Sequence, residues 1–165
     1  TAAAAPPAPP ALREQAAAAL AGPPFAAFAR ELQREIQRSQ RYHLGFTLSI
    51  LRVVDAAGHA LPERAFLAEP LRSLPGRAGR ACDSWGLSQE GYLLHLAPET
   101  LEQASALRRR LEAALLEAMA GQPGGPWRVE TGQARFPRDG ELGKTLVDIA
   151  LQRLLRRLGH GEADS

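Results

Sequence analysis

A chain of 165 residues suits one domain with a core of its own rather than two. Its net charge of +2 sets 20 cations, all arginine except Lys144, against 18 carboxylates. Arginine presents a planar fork that suits phosphates and guanine edges, although a GC-rich genome produces the same usage with no functional reason; no nucleic acid polymer is expected as partner. Cys82 is the sole cysteine, which excludes a disulfide framework or a cysteine metal cluster and favours the cytosol.

Residues 1–10, TAAAAPPAPP, have too little apolar area to join a core. They read as a linker or a loose terminus, and the chain as part of a longer protein whose other parts leave room for a membrane anchor. No stretch here is long enough to span a bilayer. ALREQAAAAL (11–20) is rich in helix formers and stops at Gly22-Pro23-Pro24. Residues 1–22 are therefore a linker with a short connecting helix, 23–160 the domain, and 161–165 a tail.

Phe25, Phe28, Leu32 and Ile36 recur at helical spacing opposite Arg30, Glu31, Arg34, Glu35 and Arg38, predicting an amphipathic helix over 25–42. FTLSILRVV (46–54) is apolar on both faces, as a covered central strand requires. A turn at Gly58-His59, a helix over 62–74 and a loop over 75–79 follow. Two strand-like runs, 81–87 and 91–96, form a hairpin around Ser88-Gln89-Glu90. A helix beginning near Glu99 or Thr100 runs to about 119, with Ala104, Leu107, Leu111, Leu115 and Met119 on one face. A strand over 127–136 and a turn at Pro137–Gly140 lead to a last helix over 141–158. That helix has Leu142, Leu146, Ile149 and Leu158 inward and ends at Gly159; Arg153, Arg156 and Arg157 read as its solvated end. This order predicts an α/β fold, a mixed sheet flanked by helices with one antiparallel hairpin.

Four segments, ARELQREIQRSQRYHLGFTLSIL, YLLHLAPET, VETGQARFPRDG and LVDIALQRLL, stand in the order and separation of a known family. Over roughly 20–159 the chain resembles the GGDEF domain of bacterial diguanylate cyclases. Counted back from Pro98, the signature falls on Gln89-Glu90-Gly91-Tyr92-Leu93. Gln89 and Glu90 replace the glycines that admit the nucleotide, and Gly91 replaces a metal-binding acid. At the end of the first strand only Asp55 is acidic, and one carboxylate is too few for the two hard cations of phosphoryl transfer. Leu155 falls near the family's phosphate-binding lysine. The resemblance thus implies a degenerate domain without catalytic residues, bound metal or cofactor.

The family's regulatory RxxD pattern has a counterpart at Arg80-Ala81-Cys82-Asp83, separated from Gln89 by Ser84–Ser88. The resemblance implies that this site takes cyclic di-GMP, as a stacked dimer in many relatives. Arg80 suits a guanine edge or phosphate, and Asp83 suits guanine N–H donors. Arg110 completes the set, with Arg109 and Arg77 as accessory candidates. Arg80 and Asp83 are expected on an exposed loop, and Arg108 is expected to point to solvent. Arg52-Val53-Val54-Asp55 is a second RxxD copy in a strand, expected to play no such part. His43, His59, His95 and His160 lack ligand spacing, and His95 reads as a surface residue or a satisfied core residue.

Among degenerate GGDEF receptors the chain looks most like the PelD type, membrane-anchored regulators of exopolysaccharide export; a cellulose-synthesis regulator is a close alternative. The expected function is a non-catalytic cytoplasmic receptor domain, a homodimer or a subunit of a polysaccharide synthesis or secretion machine, acting in biofilm formation. The rival reading is a ligand-free dimerisation or docking module.

Overall fold

A computed structural model describes residues 23–59, 74, 83–88, 91–98 and 103–163. The linker, the expected helix over 62–73, the loop over 75–79, Arg77, Arg80, Cys82, Gln89 and Glu90 lie outside the described residues. The elements are α1 (Pro23–Tyr42), β1 (Phe46–Val54), β2 (Ser84–Leu87), β3 (Leu93–Pro98), α2 (Ala104–Met119), β4 (Arg128–Phe136) and α3 (Gly143–Ala163).

The strands form one sheet in the order β2-β3-β1-β4. Every pairing among the described strands is antiparallel, where the sequence suggested a mixed sheet. The reason is topological. The β3–α2–β4 crossover joins two strands that run the same way, but β1 lies between them and runs against both.

β1 is buried on both faces, as its unbroken apolar run requires. Phe46, Leu48 and Ile50 join Phe28, Leu32 and Ile36 of α1 and Leu146, Ala150, Leu151 and Leu154 of α3 in one core. Leu51 and Val53 pack on the other face with Leu107, Leu111, Leu115 and Met119 of α2, and with Leu74. The result is a sheet between two helical layers. The solvent face of α1 carries the ion pairs Arg34–Glu31 and Arg38–Glu35 one turn apart.

α3 sits against β4 at Gly132, where a Cβ would overlap the Ala150 carbonyl and the Leu154 nitrogen. Three expectations shift at element ends. Leu142, expected inward, is 69% exposed because it precedes the first turn of α3. That helix passes through Gly159 to Ala163; glycine only weakens an exposed helix by about 1 kcal/mol and need not stop it. The helical turns of α2 begin at Ala104 behind the extended Gln103, later than Glu99 or Thr100. Among the described residues no helix is long and apolar enough to cross a membrane.

Candidate functional site

The β2–β3 hairpin carries Gly91–Leu93 at its turn end and Asp83 at its open end. Its turn is closed by Ser88: the Ser88 amide donates to the Tyr92 carbonyl at 2.9 Å, and the Tyr92 amide donates to Ser88 Oγ at 3.0 Å. Gly91 adopts φ +86 there, a conformation side-chain-bearing residues disfavour. Tyr92 and Leu93 turn into the two cores, so these signature positions serve packing.

Asp83 immediately precedes β2, and the register sets Trp85 opposite His95. His95 Nε2 lies 3.0 Å from Asp83 Oδ2, with side-chain exposures of 0% and 2%. An ionised carboxylate can only accept, so Nε2–H is the donor. The Trp85 ring meets the imidazole edge-on at 4.3 Å between centroids. His95 Nδ1 is buried with no hydrogen-bond partner among the described residues. Asp83 is therefore not on an exposed loop as expected, because a buried imidazole N–H requires an acceptor and Asp83 supplies it. His95 is the satisfied core residue of the two alternatives.

His95 faces the α2 side of the sheet, between Leu93 and Ala97 of the second core. Cross-strand register continues the row from His95 to Ser49 and from Ser49 to Gln133. Gln133 Nε2 donates to Ser49 Oγ at 3.1 Å. A polar row thus crosses the second face, with Asp83 and His95 at one side and β4 at the other.

The arginines of α2 divide around this row. Arg108 faces β4, lining a cavity there and lying 3.7 Å from Glu112, rather than pointing to open solvent as expected. Arg110 is half-buried and two residues further on, about 200° around the helix, so it leaves the opposite flank. That flank is the side of β3, β2 and Asp83. Arg109 is exposed.

The second RxxD copy has structural work. The Arg52 guanidinium lies 4.1 Å from the centre of the Tyr92 ring. Asp55 Oδ1 accepts from the Ala57 and His59 amides, both at 2.9 Å, and so fixes the turn after β1. Among the described residues no three His, Cys, Asp or Glu side chains are grouped to hold a metal. Leu155 is buried in the first core.

The sequence did not announce the cavity at the β4 edge. It measures about 380 Å³, between the start of α2, the outer residues of β4 and the second half of α3. Thr131, Gln133 and Arg135 alternate along β4 towards it, and Arg153, Arg156 and Arg157 reach it from α3. Arg153 wraps the strand edge, donating to the Gln133 carbonyl at 2.7 Å and to Asp139 at 3.0 and 3.1 Å. Arg153 is thus a clasp and no part of a merely solvated helix end. The spacing 153, 156, 157 marks one helical face and 131, 133, 135 one strand face, but only packing shows that the two faces meet.

No protein-family model matches the chain, and no curated protein matches its sequence. Solved structures do match in shape. Diguanylate cyclase SiaD of Pseudomonas aeruginosa, solved in complex with its activator SiaC, superposes with a TM-score of 0.64 at 21% identity, over 92% of this chain and 64% of that one. The FimX GGDEF domain of the same organism gives 0.60 at 16%, over 80% and 88%. A sensory box/GGDEF family protein from Caulobacter crescentus gives 0.58 at 17%, over 80% and 92%. At such identities the likeness is one of architecture, and the architecture of this chain is that of the GGDEF domain.

Proposed function

We propose that this domain is a non-catalytic cyclic di-GMP receptor whose ligand site comprises Arg80, Asp83 and Arg110, with Arg109 and Arg77 at its margin. The observation that carries the reading is the arrangement around the hairpin. Asp83 is oriented by His95 on the face of the sheet that bears α2, and Arg110 leaves α2 on the flank nearest to it. An oriented carboxylate suits the N1–H and N2–H₂ donors of guanine, and a guanidinium suits phosphate or a stacked base. The residues Gln89-Glu90-Gly91 at the hairpin argue against cyclase chemistry. By its likeness to PelD-type receptors, the parent protein would regulate exopolysaccharide synthesis or export, and hence biofilm formation.

Isothermal titration with cyclic di-GMP tests the reading. Arg80→Ala and Arg110→Ala should each weaken binding roughly ten- to hundredfold, the loss of charge-assisted hydrogen bonds. Arg52→Ala should leave affinity unchanged. Absence of binding by the unaltered domain, or cyclic di-GMP made from GTP and Mg²⁺, would overturn it. A docking or dimerisation module is the second reading, favoured by exposed Tyr42, Leu44 and Leu142 near the junction of α1 and α3. It predicts no heat with the nucleotide and a partner or second copy held by that apolar surface.

A further inference from the structure

We infer that the cavity at the β4 edge is a second anion site, one that takes the terminal phosphate or diphosphate group of a small metabolite. Three independent features converge there. First, five guanidinium groups, those of Arg108, Arg135, Arg153, Arg156 and Arg157, line one cavity. Among the described residues the carboxylates around them are Glu112 beside Arg108, Asp139 beside Arg153, and Glu130, which is paired with Arg128 at 3.3 Å. Among the described residues the cations at this cavity outnumber the carboxylates. Arg156 and Arg157 form no ion pair at contact distance among the described residues; Arg156 is exposed and Arg157 half-buried.

Second, α2 opens into the cavity at Ala104. Gln103 provides no side-chain cap, and the first amide bonded back to the cap carbonyl is that of Leu107. The preceding amides of the first turn, with the positive end of the helix dipole, favour an anion at this end. Third, Thr131 lies on the strand wall, is 1% exposed, and its hydroxyl has no hydrogen-bond partner among the described residues. A buried hydroxyl without a partner is uncommon in a folded chain, and a bound oxyanion would supply the missing acceptor.

The chemistry favours a terminal phosphate over a cyclic diester. A monoester or diphosphate offers several charged oxygens to guanidinium forks, a hydroxyl and helix amides together, whereas a diester phosphate carries one charge. Among the described residues the wall presents no aromatic ring on which a base would stack. Recognition would therefore be of the phosphate, with the rest of the metabolite towards the open side.

Inorganic pyrophosphate is the probe. Titrated into the unaltered domain, it should bind saturably below about 1 mM. In amide NMR spectra it should shift Ser105, Ala106 and Thr131, with chloride at equal ionic strength producing no such set. The double variant Arg156→Ala/Arg157→Ala should weaken binding roughly tenfold or more. Thr131→Val keeps the shape and should weaken it about fivefold. Arg80→Ala should leave pyrophosphate binding intact, which separates this site from the cyclic di-GMP site. Shifts spread over all arginine-rich surfaces, equal effects of chloride, or unchanged affinity in the double variant would overturn the inference.

Discussion

The two faces of the sheet are built for different purposes. Under α1 and α3 the sheet is apolar from Phe46 to Ile50, and Gly132 lets a helix backbone lie directly on β4. Under α2 the same strands carry Ser49, His95, Thr131 and Gln133, and the packing opens at the strand edge into an arginine-lined cavity. Close packing tolerates no ligand, whereas a polar row and an open edge cost stability but leave groups with which to recognise one. Both faces carry a core, but only the second sets polar side chains beside its Leu51, Val53 and Leu93.

That contrast can be broken most directly from the apolar side. Leu48→Ala removes a fully buried side chain from the centre of β1 and should cost about 2–5 kcal/mol in denaturant unfolding. Gly132→Ala should cost about 3 kcal/mol, because α3 must move off the strand; a change within 0.5 kcal/mol would show that the close approach is not structural.

On the polar side, Asp83→Ala should cost about 1–3 kcal/mol by leaving His95 buried without its acceptor. Asp83→Asn, which keeps an acceptor, should recover most of that stability. If both variants unfold at the denaturant concentration of the parent, the Asp83–His95 pair does not contribute to the fold.

The smallest effects lie at the seam between the faces, and they have a pH signature. The hydrogen bond from Arg153 holds the Asp139 carboxyl below its usual range. Its contribution is present above the unfolded-state value of about 4 and is lost as pH falls through the lowered folded value. Asp139→Asn should cost about 1 kcal/mol at neutral pH, since Arg153 is half exposed, and progressively less in acid. Glu130 runs the other way. Burial raises its carboxyl, so it favours the folded state more in acid, and that advantage fades as pH rises through the raised value. Unfolding curves of Glu130→Gln and Asp139→Asn against pH should therefore diverge from the parent with opposite sign.

Much of the framework could be read along the chain. Helical spacing at Phe28, Leu32 and Ile36 and the unbroken apolar run of β1 are local patterns, and each element formed where its pattern lay. Element ends were less legible. Whether Leu142 is covered, or whether a helix continues past Gly159, depends on what neighbours it meets.

The site divides the same way. Sequence by itself determined the order of elements, and it offered Arg80, Asp83 and Arg110 as candidates through their spacing. Only the tertiary structure decided that Asp83 is tied to His95, twelve residues away, and that Arg108 faces β4. It alone brought Thr131 and Gln133 of β4 against Arg156 and Arg157 of α3. The physical reason is that residue spacing fixes which side chains share a face, whereas strand register and helix packing fix which faces meet.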